Sequence, residues 1–234
     1  MYHLISYTLK DYIQSYRFFP PFVVLLLCII IQYGSSTSHV MESYAVTLIY
    51  MFFVSSWICY TLFGSENTIQ KQITLVHCKN NTSLYYASKI LSAWLLCMVI
   101  GVFVVTYPII FNTFHEQVTL YALTVALLSH FCIALIAISC TIFFTSTLLN
   151  KMSYGIGGIL FVAVLSLAQG ALFEQFSFYV YVSWIIPPSY TLMDVVMHAG
   201  DTSMVKFSIT LLLSFIYCVL FIVVYLSVMK RKIL

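Results

Sequence analysis

Apolar residues run along the chain in six long blocks, joined by connections of which residues 174–206 are the longest: Phe18–Tyr33, Tyr44–Phe63, Leu84–Phe111, Val118–Leu149, Tyr154–Phe173 and Phe207–Met229. A helix needs about 20 mostly apolar residues to cross the hydrocarbon of a bilayer. A helix also pairs its own backbone groups without water, which a crossing segment must do. A β-barrel would instead show alternating segments of about ten residues, and none is evident. The pattern predicts an all-α membrane protein with six transmembrane helices. The first block is short, but Pro20 and Pro21 suit a helix start, where a missing N–H does no harm. The fourth block is longer than a crossing needs, so it predicts a tilt or an extension beyond the bilayer.

Three segments follow a different pattern. In residues 1–19, Tyr2, Ile5, Leu9, Tyr12, Tyr16 and Phe19 recur at steps of three or four, with Lys10, Asp11, Gln14, Ser15 and Arg17 largely between them. That spacing predicts an amphipathic helix lying in the membrane interface. In residues 64–83, Glu66 and Asn67 suit a helix start. Ile69, Ile73 and Val76 then share one face, and Gln70, Lys71, Thr74 and His77 occupy the others. The spacing predicts a short helix on the membrane surface. Taken alone, it divides evenly between a helix resting on lipid headgroups and one presented to a partner. In residues 174–206, an apolar run from Phe178 through Trp184 to Ile186 meets Pro187 and Pro188, which stop a helix. This piece is too short and too broken to cross. It predicts a re-entrant turn followed by a second short helix over Ser189–Met197. No connection is long enough to fold by itself, and no repeat is visible, so residues 1–234 read as a single transmembrane domain.

Composition sharpens this reading. The chain is 62% hydrophobic and 7% charged, against about 25% charged residues in an average soluble domain. Its mean hydropathy is +1.01. A water-facing surface cannot be built from so few polar groups. Soluble enzymes, nucleic-acid binders and disulfide-stapled secreted domains are therefore excluded. Charge adds orientation. With the N-terminus in the cytoplasm, Lys10, Arg17, Lys71, Lys79, Lys89, Lys151, Lys230, Arg231 and Lys232 all fall inside, and only Lys206 falls outside. Cations gather on the cytoplasmic side of membrane proteins, so both termini are placed inside a multi-pass protein of the cell membrane. The first apolar block begins at residue 18, follows an amphipathic stretch and lacks a small-residue cleavage site, which argues against a cleaved leader.

Candidate chemistry is sparse. There is no GxxxxGK[ST] loop to cradle ATP, and no HExxH, GxSxG or CxxC. The stretch Gly155-Ile156-Gly157-Gly158 lacks the strand that a nucleotide site requires. With Ser153 and Gly157 four apart, and Ser166 and Gly170 likewise, it reads as close helix packing. Six of the seven cysteines fall inside spans, and Cys78 lies in the cytoplasmic connection. They read as buried thiols, not as a metal or disulfide set. His130 sits mid-span on a stripe of Ala122, Ala126, Ala134, Ala137, Thr141 and Thr145, so it points into protein. A structural hydrogen bond is the favoured role. A proton relay is the weaker reading, because every acid lies at or beyond a span end. An intramembrane enzyme built on His130 and Cys132 is disfavoured, since residues two apart on a helix diverge.

The layout resembles the permease subunit of bacterial type-2 ATP-binding-cassette exporters. The resemblance rests on Tyr7–Tyr12 running into Pro20-Pro21, on Phe63–Glu66 opening the cytoplasmic helix, and on Tyr85–Leu91 following it. Tyr107-Pro108 and Ile186–Pro188 complete the set, in order over nearly the whole chain. It implies that the cytoplasmic helix couples to a separate ATPase subunit, with Glu66, Ile69, Gln70, Ile73 and His77 at that contact. It implies an extracellular gate around Trp184, Pro187 and Pro188. It also implies that ATP and magnesium are held by the partner, with no cofactor on this chain. A second permease, identical or different, would complete the path within the lipid. Nearly charge-free spans suit amphipathic or hydrophobic cargo such as a peptide, a bacteriocin or toxin, or a drug. The alternative from another class is a non-transporting immunity or sensor protein that binds a peptide or partner. A secondary transporter would show internal repeats and broken spans at the midplane, and neither is visible.

Overall fold

A computed structural model describes residues 1–34, 39–79, 81–149, 151–175, 186–200 and 202–233. Among these there is no strand. The helices are α1 (Tyr2–Gln14), α2 (Phe19–Tyr33), α3 (Val40–Phe63), α4 (Thr68–His77), α5 (Thr82–Ile110), α6 (Leu120–Thr141), α7 (Met152–Leu167), α8 (Gln169–Gln175), α9 (Ser189–Met197) and α10 (Met204–Ile233). A 3₁₀ turn, Ile142–Phe144, continues α6.

The helix starts follow from local chemistry. Pro20 and Pro21 sit in the first turn of α2, where their missing donors cost nothing. The Asn81 side chain caps α5 by accepting from the Leu84 N–H at 3.0 Å. Thr119 does the same for α6 through the Ala122 N–H at 3.1 Å. Each cap satisfies a backbone donor that the helix itself leaves unpaired.

Among the described residues, four helices are long and apolar enough to cross a membrane: α3, α5, α6 with its 3₁₀ extension, and α10. A fifth crossing results if α1 and α2, which meet at 73°, count as one bent unit. Length and composition therefore give four or five crossings where the apolar blocks predict six. Two local breaks account for the difference. Tyr16 adopts φ 55° between α1 and α2, a left-handed conformation that ends a helix. The predicted span Tyr154–Phe173 is divided at Ala168 between α7, which has 16 residues, and α8.

The bundle is organised around α6 and α3. In their most apolar stretches, 78% and 61% of positions are buried, against 17% for α10. Ala126, Ala134 and Ala137 on α6 are fully buried, and small side chains let helix backbones approach closely. The predicted stripe through His130 is therefore the inner face of α6. α5 packs beside α6, α9 lies against α3, and α10 closes one flank. The glycine-rich start of α7 is a packing device, though not through Gly157, which has nothing within 4 Å. Gly155 and Gly158 pack instead: a Cβ at Gly155 would stand 2.5 Å from the Phe144 carbonyl oxygen, and one at Gly158 2.3 Å from the Phe144 ring.

Candidate functional site

The cations gather at the end of the bundle where α1, α4 and the C-terminus of α10 lie. Arg17 donates to the Gly64 carbonyl at 2.6 Å, and Lys232 donates to the Thr147 carbonyl at 2.7 Å. Tyr12 and Thr61 share a hydrogen bond of 2.7 Å that ties α1 to α3. At the opposite end, Glu42 and Glu116 line a cavity of about 290 Å³ together with His39, Tyr121 and Gly200.

At the cation end, α4 is fixed by a capping box. The Asn67 side chain accepts from the Gln70 N–H at 2.8 Å, and the Gln70 side chain accepts from the Asn67 N–H at 3.2 Å. Two orphan donors are thus satisfied reciprocally. The Cys78 N–H closes the far end on the Thr74 carbonyl at 3.0 Å.

The orientation of α4 runs against the ordinary rule for surface helices. Ile69, Ile73 and Val76 are 66%, 54% and 68% exposed. Leu75 is buried, and Lys71, Thr74 and Cys78 are half-buried. At 100° per residue, the exposed trio lies opposite Lys71, Leu75 and Cys78. The helix therefore turns a mixed face, Leu75 with Lys71, Thr74 and Cys78, inward and its apolar stripe away from the bundle. Lys71 lies over the Tyr86 ring, 5.6 Å from its centre. Burial, with Lys89 and Lys232 nearby, holds the Lys71 ammonium pKa below the usual lysine range. Burial, followed by the Glu66 carboxylate, pushes the Cys78 thiol up, with the N-terminal amine opposing.

Glu66 turns inward, whereas the resemblance places it at a partner's surface. Its carboxylate is 2% exposed and pairs with the Lys89 ammonium at 3.0 Å. The Tyr85 hydroxyl donates to the same carboxylate oxygen. Tyr85 and Lys89 lie one turn apart on α5, so their donors converge. The ammonium also stands 5.1 Å from the Tyr85 ring centre and 5.8 Å from that of Phe63. Of the predicted contact residues, Ile69, Gln70, Ile73 and His77 are exposed on α4, and Glu66 alone is buried at its root. Sequence reasoning missed Lys89 as the partner of Glu66. The available signal was a lone lysine five residues inside a largely apolar span.

His130 is fully buried on α6. Its Nδ1 lies 2.7 Å from the Ala126 carbonyl, which can only accept, so Nδ1 carries a proton. Its Nε2 lies 2.9 Å from Thr47 Oγ1 on α3. Both ring nitrogens are thus satisfied, and neither ion pair among the described residues involves the ring. The arrangement supplies what a structural α3–α6 bond requires.

Pro187 and Pro188 sit within the bundle. Ile186 and Pro187 line an apolar cavity of about 310 Å³ with Cys140, Leu165, Tyr217 and Phe221, contributed by α6, α7 and α10. The Pro187 carbonyl lies 3.1 Å from Ser166 Oγ, and that oxygen is also 2.8 Å from Ser189 Oγ. Pro188 is the N-cap of α9. Trp184 lies outside the described residues, as does most of the apolar run before Pro187.

All seven cysteines are free. Among the described residues, no group of three or more His, Cys, Asp or Glu side chains is placed to hold a metal. Comparison of the chain with family models, curated proteins and solved structures gave no match.

Proposed function

We propose that the chain is the membrane-spanning subunit of an ATP-driven exporter. In this reading six helices cross the membrane with both termini inside. Residues 174–206 lie on the outer side, with the turn back at Pro187 and Pro188. A second permease completes a path for amphipathic or hydrophobic cargo, and a separate ATPase supplies the energy through α4.

One observation carries this reading: the apolar stripe Ile69, Ile73 and Val76 faces away from the bundle. A helix that merely seals the bundle would bury such a stripe, and leaving it in water is unfavourable. A protein groove removes that cost. The exposed side chains around the stripe, Gln70, Gln72 and His77, carry no fixed charge, so the matching groove is apolar with amide-like hydrogen-bonding groups at its rim. A headgroup-bound helix would instead place lysines on its outer flanks, whereas Lys71 is folded inward over Tyr86. The gathering of cations at the α4 end, with Glu42 and Glu116 at the other, supports the orientation.

The test is purification of the full chain from its own cells, with the associated proteins identified. The expected result is a phosphate-loop ATPase in a fixed ratio that hydrolyses Mg·ATP and is lost from an Ile69→Ser, Ile73→Ser double variant that still folds. Absence of any such ATPase from the wild-type preparation overturns the reading in favour of a non-transporting membrane protein.

A further inference from the structure

The buried ion pair at the root of α4 calls for its own explanation. Two charges have been taken out of water, and such burial is weakly stabilising at best, because desolvation offsets the attraction. The best-attested use of a buried pair is to fix one arrangement among several. Here the arrangement is the direction of a helix. Glu66 lies between Gly64, which ends α3, and Asn67, which caps α4. Its carboxylate is held by two side chains of one helix, Tyr85 and Lys89 of α5. Beyond that point α4 is held by buried Leu75 and by Lys71 over the Tyr86 ring, and it presents Ile69, Ile73 and Val76 outward. A ten-residue helix is about 15 Å long, so a small change in its root moves its far end substantially.

We propose that Glu66, Lys89 and Tyr85 form a positioning clasp that fixes the direction of α4 on α5, so that a push on α4 reaches the membrane-crossing helix instead of being absorbed in the connecting turn. The second half of this inference rests on the proposed coupling role of α4, and the first half does not. Lys89 is the positioning residue on the span. Phe63 and Tyr85 shield its ammonium from water and so prevent a solvent molecule from replacing Glu66. Tyr85 supplies a second, neutral donor to the same oxygen, which sets the carboxylate's orientation as well as its place.

The experiment uses the full chain in nanodiscs, with spin labels at Gln72 on α4 and Val99 on α5, both exposed. A control pair at Val99 and Leu128 reports on α5 and α6. Wild type is expected to give a narrow Gln72–Val99 distance distribution. Lys89→Met and Glu66→Gln are expected to lose that narrow peak while the control pair stays unchanged. The exchanged double variant, Glu66→Lys with Lys89→Glu, is expected to restore it, which a merely destabilising change would not do. Tyr85→Phe removes only the hydroxyl and keeps the test decisive if the charge variants do not assemble. A narrow peak that survives in Glu66→Gln and Tyr85→Phe overturns the clasp.

Transmission is tested with the ATPase bound. Mg·ATP and vanadate are expected to shift the Val99–Leu128 distance in wild type and to leave it unmoved in Glu66→Gln. An equal shift in both overturns transmission. Failure of any ATPase to bind wild type would remove the proposed function while leaving the nanodisc result to stand alone.

Discussion

Two short helices connect the long ones at opposite ends of this molecule, and they face in opposite directions. α4 and α9 have 10 and 9 residues. α9 buries Leu192, Val195 and Val196 against α3, α6 and α10. α4 exposes Ile69, Ile73 and Val76 and holds Lys71 inward. The difference shows that amphipathic spacing identifies a helix with two faces but not which face meets the protein. That choice is made at the root. α9 is led into the bundle by Ile186 and Pro187, which are themselves buried. α4 is held at its root by the Glu66–Lys89 pair, and along its length by buried Leu75 and by Lys71 over the Tyr86 ring.

The comparison can be broken most severely at the clasp. Removing one member of a buried ion pair leaves the other charge unpaired, which costs about 3–5 kcal/mol. Lys89→Ala is expected to lower stability by that order in thermal or denaturant unfolding in detergent. An unchanged midpoint would mean that Glu66 finds water in its place.

Leu192→Ala on α9 comes next. In lipid the transfer penalty is small, because acyl chains are as apolar as leucine, but the cavity remains. The expected loss is about 2–3 kcal/mol. Ile73→Ala on α4 removes an exposed side chain and is expected to change stability by no more than about 0.5 kcal/mol, while weakening ATPase capture. A loss equal to that of Leu192→Ala would erase the distinction between the two helices.

The smallest effect is chemical. Cys78 lies at the end of α4, and its thiol pKa is raised. A membrane-impermeant maleimide is expected to label it only from the side that carries Lys230–Lys232. Its rate is expected to be slower than that of an unhindered thiol at neutral pH and to rise as the pH approaches the elevated pKa, because the thiolate is the reacting form. Labelling from the opposite side would invert the proposed orientation.

Much of the fold was legible in the sequence because its signals are local. Of the two residues that suit a helix start, Asn67 caps α4, while Glu66 turns to Lys89. The alanine stripe through His130 marks the inner face of α6, and it is buried. The site was less legible because its deciding contacts are not local. Glu66 and Lys89 lie 23 positions apart in the numbering, and nothing in their spacing says that they meet. The same holds for His130, whose partner Thr47 lies on α3. The division of the Tyr154–Phe173 block at Ala168 was also hidden, since Gln169 and Gly170 are weak interruptions in an apolar run. Gly170 is where the Tyr190 ring packs closely, a tertiary contact that no hydropathy window reports.

The unequal burial of α6 and α10 has a mechanical consequence. In water, pulling a helix from its neighbours exposes apolar surface and is opposed by the hydrophobic effect. In lipid that opposition largely vanishes, since one apolar neighbour replaces another. α10 leaves most of its surface outside the bundle, with Leu212, Phe215, Leu220 and Val223 exposed. On that exposed face, exchanging acyl chains for side chains costs little. α6 makes no such exchange, because its contacts are backbone-close and its histidine is bonded across to α3. The bundle thus pairs a closely packed axle with a less buried wall, and that wall is held where the Tyr225 ring meets Phe63, Tyr86 and Phe143 and where Lys232 bonds the Thr147 carbonyl.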